Sequence, residues 1–250
     1  MSTPQKTPAS PSPAAALIVA ALLIWGLQRF VPYGRLILYP FTLLSTWVHE
    51  MGHGLTACLV GGRFDHLDIY GNASGLAYFT AAPGSRLALV AAGGLLAPPL
   101  VGMILLVLGR RAARPLLAAL ALTMVASLML WVRTSVGWLT VGGLALLCAA
   151  AGRLLETRGR LFFVQLLGLL LALDTVTRAD YLFVSSARVG GQLHSSDVAG
   201  IASTLGGPPA LWGVLIAILS AGLLLVGLWS VLGAARRVPA AKSDLAALTP

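Results

Sequence analysis

Two histidines one helical turn apart, with a glutamate directly after the first, are the residues of this chain best placed to do chemistry. They stand in Trp47-Val48-His49-Glu50-Met51-Gly52-His53-Gly54. On a helix, positions i and i+4 share a face, so His49 and His53 can direct two imidazoles at one metal ion. Glu50 follows the first of them and sits beside such an ion, not on it. From there a carboxylate can take a proton from water and pass it to a leaving amine. Zinc suits two nitrogens plus a carboxylate, with one position open for water.

That set still lacks its third ligand. Of the eight acidic residues, only Glu50 and Asp174 fall inside apolar runs. Asp174 closes the stretch Leu166–Leu173. At a rise of ~1.5 Å per residue its depth overlaps that of His53. Asp174 is therefore expected as the third metal ligand, with Asp197 of Ser195-Ser196-Asp197 in reserve. Arg178 offers Asp174 another role, a helix-end ion pair at i+4. His66, between Asp65 and Asp68, reads as a solvated strand residue, and His194 as a surface loop residue. Cys58 and Cys148 are far apart, without C-x-x-C spacing, and read as small apolar residues of the helices that hold them.

The elements that must position these groups are apolar. The chain has 250 residues, of which 58% are hydrophobic and only 10% charged. A soluble domain carries about 25% charged residues, so this composition points to a membrane protein. The net charge of +9 sits in short basic clusters between apolar runs, the pattern of headgroup-contacting loops, and does not suggest a nucleic-acid partner.

A crossing needs roughly 20 apolar residues. Candidates lie near 14–32, 36–60, 86–108, 114–133, 134–151, 161–177 and 210–232. The fourth and fifth are separated only around Arg133 and Thr134, so a merger would lower the count. The expected fold class is an all-α polytopic membrane protein of about six to seven transmembrane helices. Residues 14–232 form one transmembrane domain between a disordered tail, 1–13, and a C-terminal tail, 233–250. Two intervals are not membrane-like. Residues 63–86 read as a β-hairpin around Gly71-Asn72-Ala73-Ser74-Gly75, between the second and third spans. Residues 178–209 read as a polar loop with two Gly-Gly pairs. Three ionisable residues within five positions of a span are costly unless they bind something, which makes the His49–His53 segment a functional site by default.

The order of these features resembles the site-2-protease family of intramembrane zinc metallopeptidases, in particular its compact bacterial members without accessory domains. The likeness is carried by His49-Glu50-Met51-Gly52-His53-Gly54, then Gly61-Gly62-Arg63 and the hairpin ending near Tyr78. A glycine- and proline-bearing span follows, Ala91-Ala92-Gly93-Gly94-Leu95-Leu96-Ala97-Pro98-Pro99-Leu100-Val101-Gly102, and then a later span with Asp174. It covers residues 36–108 well and 161–205 loosely. The resemblance implies cleavage of a membrane-protein substrate's transmembrane helix, one zinc ion with an aspartate as third ligand, and a place in the bacterial cell (inner) membrane. One departure is that Asp174 precedes Thr175, where better-known members carry Leu-Asp-Gly or an Asn-Pro-type motif. No PDZ-like or nucleotide-sensing domain is visible.

The hairpin is expected to present an edge strand to an unwound substrate segment. Asn72 and Ser74 are candidate substrate contacts, although turn formation is their plainer role. Two rival functions use the same residues: a zinc-binding scaffold or chaperone without proteolysis, and a metal transporter. Against the transporter, the ionisable cluster is confined to one span and no inverted repeat is apparent.

Overall fold

The apolar runs fold as helices, and two β-hairpins fill the space between them. The computed structural model describes residues 13–177 and 179–235. The order is α1 (Pro13–Phe30), α2 (Gly34–Ile37), α3 (Tyr39–Leu59), β1 (Arg63–Ile69), β2 (Gly75–Thr80), α4 (Ser85–Leu130), α5 (Ser135–Leu154) and α6 (Thr157–Thr177). A 3-10 turn (Ala179–Phe183), β3 (Ser186–Val189), β4 (Gln192–Ser195), α7 (Asp197–Leu205) and α8 (Pro209–Ala235) complete it. Among the described residues, four helical stretches are long and apolar enough to cross a membrane: Ser85–Leu130, Ser135–Leu154, Thr157–Phe183 and Pro209–Gly233. The all-α polytopic architecture with a hairpin ahead of α4 is thus the one observed. Of the expected tails, residues 1–12 and 236–250 lie outside the described residues.

Helix α4 has 46 residues, which as a straight rod would measure ~69 Å, about twice the hydrocarbon core. It is not straight. Ala112 leaves helical geometry (φ −139°, ψ 31°), and the contacts on either side show a reversal. Gly94 packs on the ring of His53, and Ser127 Oγ accepts the indole N–H of Trp47 at 3.0 Å. Gly94 and Ser127 would stand ~50 Å apart on a rod, whereas Trp47 and His53 are under two turns apart on α3. Residues 85–111 and 113–130 are therefore two arms, matching the third and fourth expected spans. Pro115 lies in the first turn of the second arm, where a missing N–H costs no helix bond.

The arms pack closely because small residues line them. Gly52 of α3 meets Gly93 and Ala97 of α4, and Gly102 of α4 meets Gly168 and Ala172 of α6. Without a strong hydrophobic drive between helices in lipid, such close approach is what holds them together.

The first hairpin forms as expected and folds back along α3. Phe64 covers Gly54, Thr46 Oγ1 donates to the Ala73 carbonyl at 2.8 Å, and Tyr39 donates to the Gly71 carbonyl at 2.7 Å. Strand β1 thus runs antiparallel to α3 and β2 returns parallel to it, with Leu67, Ile69 and Ala77 buried. Its outer edge at β1 is closed by the α4–α5 turn. The Leu67 amide donates to Trp131 O (2.9 Å), its carbonyl accepts from Arg133 N (3.1 Å), and Thr134 Oγ1 bonds both the amide and the carbonyl of Ile69.

The interval 178–209, expected as a loop, is also folded. Its β3–β4 hairpin turns at Gly190-Gly191, both at positive φ, and α7 follows. The tip reaches the first hairpin: the Gly190 amide points to Ser74 Oγ (3.4 Å), and Gly190 lies against the ring of Tyr70.

The α3–α4 contact has a testable consequence. A methyl group at Gly52 would stand 2.6 Å from the Gly93 carbonyl oxygen and 2.6 Å from Ala97 Cβ. Gly52→Ala is expected to cost about 1–3 kcal/mol and lower the melting midpoint in detergent. Gly143→Ala, with nothing within 4 Å, should leave the midpoint unchanged or raise it.

Candidate metal centre

The His-Glu-x-x-His segment lies in the middle of α3, and three elements close on it. His53 is held most firmly. Its Nδ1 lies 2.9 Å from the Val90 carbonyl of α4, which can only accept, so Nδ1 carries the proton and Nε2 keeps its lone pair. Gly94 gives the ring room, since a side chain there would overlap the imidazole. Phe79 of β2 stacks over it at 6.2 Å. His49 stands edge-on to His53, with ring centroids 4.6 Å apart.

The third member is Asp197, the first residue of α7. Its Oδ2 lies 3.1 Å from His49 Nε2 and its Oδ1 3.3 Å from His53 Nε2, while the two Nε2 atoms are 3.0 Å apart. A tetrahedral ion with bonds of ~2.0–2.1 Å separates its ligand atoms by about 3.3–3.4 Å, so two imidazole nitrogens and one carboxylate at these separations could share a single ion. Two imidazole lone pairs this close repel unless a proton or a cation lies between them. Side-chain exposure is 20% for His49 and 18% for Asp197, against 8% for His53. The open approach is thus from the His49–Asp197 side.

Glu50 is buried at 5% exposure and capped by Gly75, where a Cβ would fall 2.7 Å from its Oε1. With His49 it faces a cavity of about 650 Å³. The cavity runs along α3 past Thr46 to Tyr39 and is walled by the tip of the first hairpin and by strand β3.

The structure brings Asp197, not Asp174, to the histidines. His49, His53 and Asp197 form the group of potential metal ligands found among the described residues. Asp174 lines the same cavity but stays outside that group. The reason lies downstream. Val198 and Ile201 of α7 pack with Ala88 and Leu95 of α4, Leu182 and Ile216, which drives the N-terminus of α7 into the bundle. Ser196 caps that end, accepting from Ala199 N and donating to the Val184 carbonyl at 2.6 Å. Arg178, the other partner considered for Asp174, lies outside the described residues.

Asn72 and Ser74 both line the cavity and also build the turn, with Asn72 Oδ1 accepting from the Ser74 amide (3.1 Å) and hydroxyl (2.7 Å). His66 stacks on Tyr78 at 4.1 Å, and His194 lies on β4. Cys58 and Cys148 are free, the first exposed and the second buried. Tyr181, not singled out by its sequence context, donates to Asp197 Oδ2 at 3.2 Å.

Residues 14–227 match the family described as Peptidase M50B-like. The chain belongs to that family. Comparison with curated proteins and with solved structures gave no match. Membership makes this M50B-like chain a metallopeptidase by family, and M50 peptidases are zinc-dependent. Its apolar helices and its family together mark an integral membrane protein. The donor set of two imidazoles and one carboxylate fits zinc.

Elemental analysis separates the two aspartates. The purified M50B-like chain is expected to hold one zinc ion. Asp174→Asn should retain it, and Asp197→Asn should lose most of it to dialysis against a mild chelator. Zinc retained by Asp197→Asn and lost by Asp174→Asn would reverse the assignment.

Proposed function

We propose that this chain is an intramembrane zinc metalloprotease that hydrolyses a peptide bond within or next to the transmembrane helix of a membrane-protein substrate. The observation that carries the reading is the position of Glu50: buried beside the ligand triad, on α3, and facing a cavity bounded by strands. His49, His53 and Asp197 would hold one zinc ion, which when bound supplies Lewis acidity that brings the pKa of water to about 7. Glu50 takes the proton released by the attacking water and delivers it to the departing amine nitrogen. The resemblance to compact bacterial members supports a bacterial cell membrane as its location.

A transmembrane helix satisfies its own backbone and must unwind before it can be cut. The first hairpin offers a replacement. Leu67 pairs in register with Ala77, and its amide and carbonyl point outward to the α4–α5 turn. In an antiparallel ladder that is a non-hydrogen-bonded pair, so the amide and carbonyl of Ala77 also point away from β1. On edge β2 the Ala77 amide is directed at the Glu50 carboxylate, and the Ala77 carbonyl stands two residues from Gly75, which lies against the same side chain. An unwound substrate segment added along β2 would pass the base and the metal ligands. Asn72 and Ser74, at the end of that edge, are the candidate side-chain contacts.

Glu50→Gln keeps the shape of the side chain and removes its basicity. It is expected to retain zinc while cleavage of a co-expressed single-span substrate falls at least ~100-fold. Undiminished cleavage would take Glu50 out of the mechanism. Wild-type protein that loads zinc yet cleaves no membrane substrate would favour a zinc-binding scaffold.

A further inference from the structure

Tyr181 reaches the metal centre from outside the ligand set. Its hydroxyl donates to Asp197 Oδ2 at 3.2 Å, and its ring stands edge-on to His49 with centroids 6.4 Å apart. The 3-10 turn that carries it has little freedom to move. Leu182 is buried at 2% exposure in the cluster with Val198, Ile201 and Ile216. The Leu182 carbonyl lies so close to Gly213 of α8 that any side chain there would collide with it.

Asp197 is fixed from the opposite direction. Its neighbour Ser196 donates its amide to the Ser185 carbonyl at 3.0 Å and its hydroxyl to Val184. Tyr181 and Asp197 are thus the two feet of one excursion, closed at the base by these bonds, with the β3–β4 hairpin projecting above.

We propose that Tyr181 is a positioning residue for Asp197. An aspartate carboxylate can turn about its Cβ–Cγ bond and swing its oxygens away from two imidazoles. The phenol pins Oδ2 and fixes that rotation, so that Oδ1 stays aimed toward His53 and Oδ2 keeps its remaining lone pair for the His49 side. Partners that orient a metal ligand in this way typically change metal affinity about 10- to 100-fold when removed. The inference rests on the metal-centre reading above, but on no step of peptide hydrolysis.

Tyr181→Phe keeps the ring and its packing and deletes only the donor. Zinc affinity of the full chain in detergent is measured by competition with a chromophoric chelator, with and without Asp197→Asn. The expected result is a loss of about 10- to 100-fold in the otherwise wild-type chain. In the Asp197→Asn background the loss should shrink to under about threefold, because contacting residues are not additive. The zinc-free melting midpoint should not move. Unchanged affinity overturns the proposal, and so does an equal loss in both backgrounds, since Tyr181 would then act elsewhere.

If Tyr181→Phe does not remain monodisperse, 3-fluorotyrosine at this position supplies a more acidic phenol and a stronger donor. It should tighten zinc binding, and an unchanged or weaker affinity overturns the proposal. A wild-type chain that binds no zinc removes the metal-centre reading itself. A wild type that binds zinc beside an unaffected Tyr181→Phe removes this inference alone.

Discussion

Two imidazoles and a carboxylate on one turn of a helix packed among apolar helices must each find a partner, because lipid offers none. Much of the architecture answers that constraint. The Val90 carbonyl takes the proton of His53 Nδ1, and Gly94 lets the ring lie against α4. Gly75 closes over Glu50. Asp197 completes the donor set, held in turn by Ser196 and Tyr181. The outward nitrogen and oxygen atoms are left converging on one point, at separations that suit a single small cation.

The same constraint explains the hairpins. A strand pair folded in beside α3 carries unpaired backbone on both edges. The α4–α5 turn satisfies one edge through Leu67 and Ile69. The other edge meets the cavity at Gly75, and the Ala77 amide there is directed at Glu50. The second hairpin meets the first only at its tip, through Gly190 with Tyr70 and Ser74. The space between them is thus walled on two sides by strands and along its length by the Tyr39–His49 face of α3.

Local features of the fold were legible in the sequence. Apolar runs of crossing length gave the helices, and the gap between the runs 86–108 and 114–133 marked the reversal of α4. Turn residues marked the first hairpin, and the i, i+4 spacing set His49 and His53 on one face. What depended on distant packing was not legible. Rise per residue places Asp174 at a compatible depth, but depth alone does not say which later segment returns to the histidines. Asp197 is delivered by the apolar face of α7 settling on α4. Its local signal was modest: a Ser-Asp pair at a helix start, after short strand-like segments around Gly190-Gly191. Tyr181 and the Val90 carbonyl carried no sequence signal at all.

The central claim is that His49, His53 and Asp197 together make one metal site. X-ray absorption at the zinc edge of the loaded protein tests it most directly. The account predicts two imidazole nitrogens at ~2.0–2.1 Å and oxygen ligands at ~2.0–2.2 Å, with the imidazole scattering halved in His53→Ala. A sulfur shell at ~2.3 Å, or a spectrum unchanged by His53→Ala, would contradict it.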